Sequence, residues 1–162
     1  MSAGTASPNA TGPEEERIHP GGRIVVGVDG SASSRSGLRR GARIAERLGC
    51  TLVGVTVWDY PQSWPGYVMD WSPEADAQAI ARDTAEDVFG AEVPDWYSTV
   101  IRTGSAARQL IAESEGAEML IVGSRGLGGF TGLLLGSVSR ACAEHADCPV
   151  LVIHDTEGAG RH

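Results

Sequence analysis

The strongest constraint on this chain is its alternation of short apolar runs with stretches of helical period. Arg23-Ile-Val-Val-Gly-Val28 and Thr51-Leu-Val-Gly-Val-Thr-Val57 are rich in β-branched residues, as strands buried on both faces of a parallel sheet are. Met119-Leu-Ile-Val122 and Pro149-Val-Leu-Val-Ile153 have the same character, and Trp96 to Thr103 alternates enough to be a further strand. Helical patterns fill the gaps. Ser31, Ser33 or Ser34 can cap a first helix, in which Leu38, Ala42, Ala45 and Leu48 recur at three- and four-residue spacing. Arg39, Arg40, Arg43 and Arg47 fall mainly on its other faces, and Gly49 supplies the stop. Pro73 opens a second helix through about Phe89, with Ala77, Ile80, Ala81, Thr84 and Val88 in one stripe. Gly104-Ser105 turns into a short third helix that faces Leu110, Ile111 and Ser114 inward and ends at Gly116. A fourth, from about Ser137 to Ala146, is expected to bury Val138, Ala141, Cys142 and His145. Such alternation predicts a single-domain α/β sandwich around a parallel sheet.

Outside that pattern the chain thins out. Residues 1–22 carry Ile18 as the only sizeable apolar side chain after Met1, so they read as a flexible tail before a domain spanning 23–154. Residues 155–162 read as a second loose tail. Trp58 to Ser72 holds three of the four tryptophans among two prolines and a glycine. That segment predicts a long aromatic loop, free to lid a ligand, meet a protein partner or cover the sheet edge.

Composition removes several chemistries. The chain has no lysine: all 13 basic residues are arginine. A Walker P-loop, a protein kinase and Schiff-base chemistry each need a lysine. A net charge of -8 argues against a nucleic-acid partner, because phosphate backbones demand clustered cations. No apolar run approaches the roughly 18–20 residues of a membrane span, and Met1 to Pro20 lack the apolar core of a secretory signal. A cytoplasmic protein is expected. Cys50, Cys142 and Cys148 form no CxxC pair and sit among apolar neighbours, so all three read as buried small hydrophobes.

The candidate site is Ile121-Val-Gly-Ser-Arg-Gly-Leu-Gly-Gly-Phe-Thr-Gly-Leu-Leu-Leu-Gly-Ser-Val138. A strand stops at Gly123, a glycine-rich loop follows, and a helix begins at Gly136-Ser137. Glycines let backbone approach a phosphate, and a helix N-terminus offers unpaired N–H groups and partial positive charge. Asp29 follows the first strand in the same way. In open α/β sheets ligands bind beyond the carboxyl ends of strands where the order reverses. If the first and fourth strands are neighbours, Asp29 and the glycine loop share one crevice.

Gly123-x-x-Gly126, nine residues, then Gly136-Ser137 resembles the G-2x-G-9x-G-(S/T) signature of ATP-binding universal stress proteins. Ile24-Val-Val-Gly-Val-Asp29-Gly-Ser31, Gly104-Ser-Ala-Ala-Arg-Gln-Leu-Ile111, Leu120-Ile-Val-Gly-Ser-Arg-Gly126 and Cys148-Pro-Val-Leu-Val-Ile153 are similar to that family's other blocks. The resemblance implies a three-layer, Rossmann-like fold of the adenine nucleotide alpha-hydrolase type. Its five-stranded parallel sheet would have order 3-2-1-4-5, with helices on both faces. By similarity Asp29 would bind ribose or help hold Mg²⁺, Gly27 and Val28 would lie beside the base, and Val57 would contact adenine. Gly123 and Gly126 would approach ribose and phosphates, with Ser124 and Arg125 between them. Gly136, Ser137, Val138 and Ser139 would give N–H and hydroxyl groups to the phosphates. Homologues commonly form homodimers through the last strand, here Val150, Leu151, Val152 and Ile153. The family's usual His-Val is Thr56-Val57 here.

Several residues keep two readings. Asp29 serves either a ligand or the cap of the next helix, and Arg125 either touches a phosphate or points to water. Hydrolysis needs a positioned base and cations around the transferred phosphate, and neither a base nor a lysine is in evidence. The expectation is therefore an ATP-binding stress regulator rather than an enzyme. The alternatives are a slow MgATP hydrolase and an interaction protein that binds no nucleotide. Gly123→Glu is expected to abolish binding without unfolding the domain.

Overall fold

The structure, a computed structural model, describes residues 18–60, 72–127 and 134–155. Nine elements follow in order: β1 (Arg23–Gly27), α1 (Ala32–Leu48), β2 (Thr51–Trp58), α2 (Pro73–Phe89), β3 (Tyr97–Thr103), α3 (Ala106–Glu113), β4 (Met119–Gly123), α4 (Ser137–His145) and β5 (Val150–Ile153). The five strands form one sheet in the order β3-β2-β1-β4-β5. Every neighbouring pair is parallel, with Val26 opposite both Gly54 and Ile121 at the centre. The first and fourth strands are therefore adjacent, as the crevice requires.

Alternation along β1 divides the core between two faces. Ile24 and Val26 pack with Leu38 and Ala45 of α1 and Ala85 of α2, while Val25 packs with Leu110 of α3 and Cys142 of α4. Ile24, Leu38, Leu52, Leu120 and Ile121 are completely buried, each stabilising the fold by roughly 1.5–3 kcal/mol. The glycine stop of α1 is literal. Gly49 takes the left-handed conformation at φ 68° and returns its N–H to Ala45.

Five local expectations need correction. Order begins before Arg23: Ile18 packs against the core, the Gly21 N–H donates to the Gly49 carbonyl at 2.7 Å, and the Thr51 N–H donates to the Gly22 carbonyl at 2.8 Å. These backbone bonds tie residues 18–22 under the starts of β1 and β2. Trp58 belongs to β2, because its carbonyl accepts from the Gly104 N–H at 2.8 Å and extends the ladder. Leu48 is 37% exposed, being the last residue of its helix. His145 is exposed rather than buried, since α4 stops there and no further turn covers it. Cys148 is only half-buried, because it lies on the turn into β5, the edge strand. Residues 61–71 of the tryptophan loop and 128–133 of the glycine loop lie outside the described residues.

Candidate functional site

In a parallel sheet with helical crossovers, strand carboxyl ends and helix N-termini share one edge of the molecule. The order of this sheet reverses between β1 and β4. A cavity of about 440 Å³ opens there. It is lined by Gly27, Val28, Asp29, Val57, Gly123, Arg125, Gly126, Gly136, Ser137, Val138 and Ser139, which places eleven of the twelve sequence-selected residues around one space. Ser31, Ser34, Val55, Ala106, Leu110 and Val122 complete the lining; the sequence marked Ser31 and Ser34 as helix caps and Leu110 as core, and none of the six as a site residue. Val55 had a usable signal, since it lies two residues before Val57 on the same face of the strand. Ala106 and Leu110 reach the cavity through the placement of α3, which no local pattern announces.

Ser124 is the residue that does not line it. Its side chain is 2% exposed, and its backbone does the work. The Ser124 N–H donates to Ile153 of β5 at 2.8 Å. Its carbonyl accepts from the Gly136 N–H at 2.7 Å and from Ser139 Oγ at 3.0 Å. The two ends of the glycine loop are thereby pinned at one carbonyl. Behind Gly123, Ser33 Oγ donates to the Arg125 carbonyl at 2.7 Å, fixing the loop's entry to α1.

Gly123 has a different reason from the one expected. A Cβ there would stand 2.9 Å from Ser33 Cβ and 3.2 Å from the Ser33 carbonyl carbon. The glycine lets β4 approach the first turn of α1, and a side chain would collide with helix backbone instead of entering the cavity. Gly123→Glu therefore disturbs packing, and it is not the clean binding test expected of it. Gly126 faces Asp29, whose Oδ2 lies 2.9 Å from where a Cβ would sit.

Asp29 accepts the Ser31 N–H on Oδ1 at 2.9 Å, closing the turn that leads into α1. The cap of that helix is Ser31 itself, whose Oγ accepts from the Ser34 N–H at 3.2 Å. With the helix already capped, Asp29 holds the turn while its other oxygen remains turned toward Gly126.

The helix N-termini around the sheet are not alike. Serine side chains cap α1 and α2, through Ser31 and Ser72. No side chain caps α3, entered through Ser105, or α4, entered through Gly136. Both uncapped termini line the cavity, through Ala106 and through Ser137, Val138 and Ser139. First-turn N–H groups lack intrahelical partners, so α4 presents donors and the positive end of its dipole to the cavity. The same cavity is lined by the apolar side chains of Val55, Val57, Leu110 and Val122. Thr56, between the two valines, turns away and is 2% exposed, with an unpartnered Oγ1.

Asp29 and Arg125 are the charged residues of the lining, which contains no histidine or cysteine. The cysteines lie elsewhere. Burial, and then the neighbouring Cys148, push the Cys142 thiol up to about 11, and burial also raises Cys50. Neither has a reactive thiolate at neutral pH. An apolar slot beside a row of backbone donors accepts a flat, apolar group joined to an anion.

The model of the universal stress protein family matches residues 22–154. This chain belongs to that family. It is 34% identical over 143 residues to a universal stress protein of Mycobacterium tuberculosis, a match covering 82% of this chain and 45% of the relative. The chain thus spans about half the length of the curated relatives it matches. Among solved structures, it resembles the universal stress protein UspA from Lactobacillus plantarum with a TM-score of 0.67 at 20% identity, covering 85% of this chain and 99% of that one. A universal stress protein in complex with cAMP aligns with a TM-score of 0.63 at 28% identity, covering 82% and 97% respectively. Among the described residues, no helix is long and apolar enough to cross a membrane.

Proposed function

We propose that this chain is an ATP-binding universal stress protein, in which nucleotide occupancy biases a dimer or partner state. The observation that carries the reading is the cavity at the β1/β4 switch point, where the uncapped N-terminus of α4, apolar valines and the Asp29 carboxylate line one space. Phosphates would lie against the N–H groups of Ser137, Val138 and Ser139. Adenine would lie against Val57 and Val55, with Gly27 and Val28 alongside, and ribose beside Asp29. The bound cAMP of the 28%-identical neighbour supports an adenylate in this slot. Arg125, exposed at the loop entry, is free to swing toward the phosphates.

Mg²⁺ fits only as the nucleotide's companion. Among the described residues, no group of three or more His, Cys, Asp or Glu side chains could hold a metal. Asp29 has one carboxylate oxygen available, and Mg²⁺ is commonly held by one or two carboxylates plus substrate phosphates. In this reading the protein holds ATP, with Asp29 as the one carboxylate among the described residues of the lining. The homodimer would form through Val150, Leu151, Val152 and Ile153 of β5, an edge strand with half-buried apolar side chains. The expected location is the cytoplasm.

The test is direct. The purified protein is denatured, its ligand is resolved by anion exchange, and phosphate release from added MgATP is followed. Retained ATP without release is the expected result. Steady release abolished by Asp29→Ala would make it a hydrolase. No retained nucleotide and no thermal shift in millimolar MgATP would overturn both readings.

A further inference from the structure

The charge of the chain is unevenly placed. Helix α1 carries five of the 13 arginines, Arg35, Arg39, Arg40, Arg43 and Arg47, against a single acid, Glu46. Helix α2 carries Glu74, Asp76, Asp83, Glu86 and Asp87 against a single Arg82. A protein of net charge -8 therefore bears one strongly basic helix beside one strongly acidic helix on the same face of the sheet.

Helical geometry makes the basic stripe continuous. Arg35, Arg39, Arg43 and Arg47 follow at intervals of four, opposite the buried Ser34, Leu38, Gly41 and Ala45. Like charges at that spacing work against the helix. Of the five arginines of α1, Arg35 alone has an acidic partner among the described residues, Asp87 of α2 at 3.1 Å, while Arg39, Arg40, Arg43 and Arg47 are exposed and form no ion pair. On α2, Asp83 and Glu86 are exposed on the outward side, and Asp83 meets only the adjacent Arg82.

We infer that this face docks a second copy of the same chain, α1 of one protomer against α2 of its partner. Both helices cross between parallel strands, so they run in the same direction. A two-fold axis parallel to them and midway between them brings each basic helix opposite the partner's acidic one. Such a self-complementary arrangement is what a two-fold interface demands. The Arg35–Asp87 pair shows the two helices already matched in charge within one chain. This interface is separate from the β5 edge and does not depend on bound nucleotide.

The experiment is sedimentation equilibrium of the intact chain in 0.1 M and 1 M NaCl, with charge-swapped variants. At 0.1 M the screening length is about 10 Å, which mutes the net repulsion but leaves contact pairs intact; at 1 M it is about 3 Å. Association is expected to weaken at least tenfold between the two salts. Arg39→Glu with Arg43→Glu should weaken it at least tenfold at 0.1 M, as should Asp83→Arg with Glu86→Arg. Mixing those two double variants should restore a one-to-one heterodimer, because both helix pairings regain opposite charge. Circular dichroism confirms that each variant is folded, and the exposed positions make that the expected outcome. Association that is insensitive to salt and to either variant would overturn the inference. A wild-type chain that shows no salt-dependent association, or mixed variants that associate no better than either alone, would also overturn it.

Discussion

The two faces of the sheet begin their helices differently. On one face, α1 and α2 begin with serines that satisfy their own first turns. On the other, α3 and α4 begin without a side-chain cap, and both open onto the cavity. A missing cap costs a helix about 1 kcal/mol, and here the two missing caps converge on one space. The capped face is finished by the chain itself. The uncapped face leaves the first-turn N–H groups of α4 open to the cavity.

That contrast can be broken by charge. Ser137→Glu puts a carboxylate on the first turn of α4, where the helix dipole favours it but phosphates would be repelled. Isothermal titration should show ATP affinity falling by about a hundredfold, roughly 2.7 kcal/mol, with no loss of Tm. Packing comes next. Gly123→Ala forces a methyl group against the Ser33 backbone and should cost about 1–3 kcal/mol in urea unfolding, whether or not nucleotide is present.

A smaller substitution converts one kind of helix start into the other. Gly136→Ser gives α4 a capping hydroxyl at a backbone conformation open to any residue, φ -72°, and its Cβ would make an ordinary 3.5 Å contact with the Ser124 carbonyl. Thermal unfolding should show a gain of a few tenths of a kcal/mol, while ATP affinity falls severalfold because the new hydroxyl competes for the same N–H groups. The converse change is on the capped face. Ser72→Ala removes the bond from the Ala75 N–H and should cost about 1 kcal/mol of stability with ATP affinity unchanged.

Much of this architecture could be read from residue patterns. The bounds of α2, Pro73 to Phe89, follow from its proline start and apolar stripe, and Gly49 marks the end of α1. The adjacency of β1 and β4 is the condition under which Asp29 and the glycine loop share a crevice, and the family resemblance implied it. Three-dimensional relations were harder. The docking of Ile18 to Gly22 rests on backbone bonds to Gly49 and Thr51, which carry no side-chain signature. The true reason for Gly123 is a helix turn some ninety residues away in sequence, and Ser124 acts through its carbonyl. Leu110 reaches the cavity by the crossover of α3. Local periodicity reports which face is buried, not which neighbour buries it.

The proposed function requires the open N-terminus of α4 to hold the phosphates of an adenine nucleotide. Amide shift mapping of the isotope-labelled chain during titration with MgATP tests it most directly. Saturable shifts are expected, largest at the Ser137, Val138 and Ser139 amides, with smaller ones at Asp29 and Val57. Saturating MgATP that leaves those three amides unmoved would contradict it.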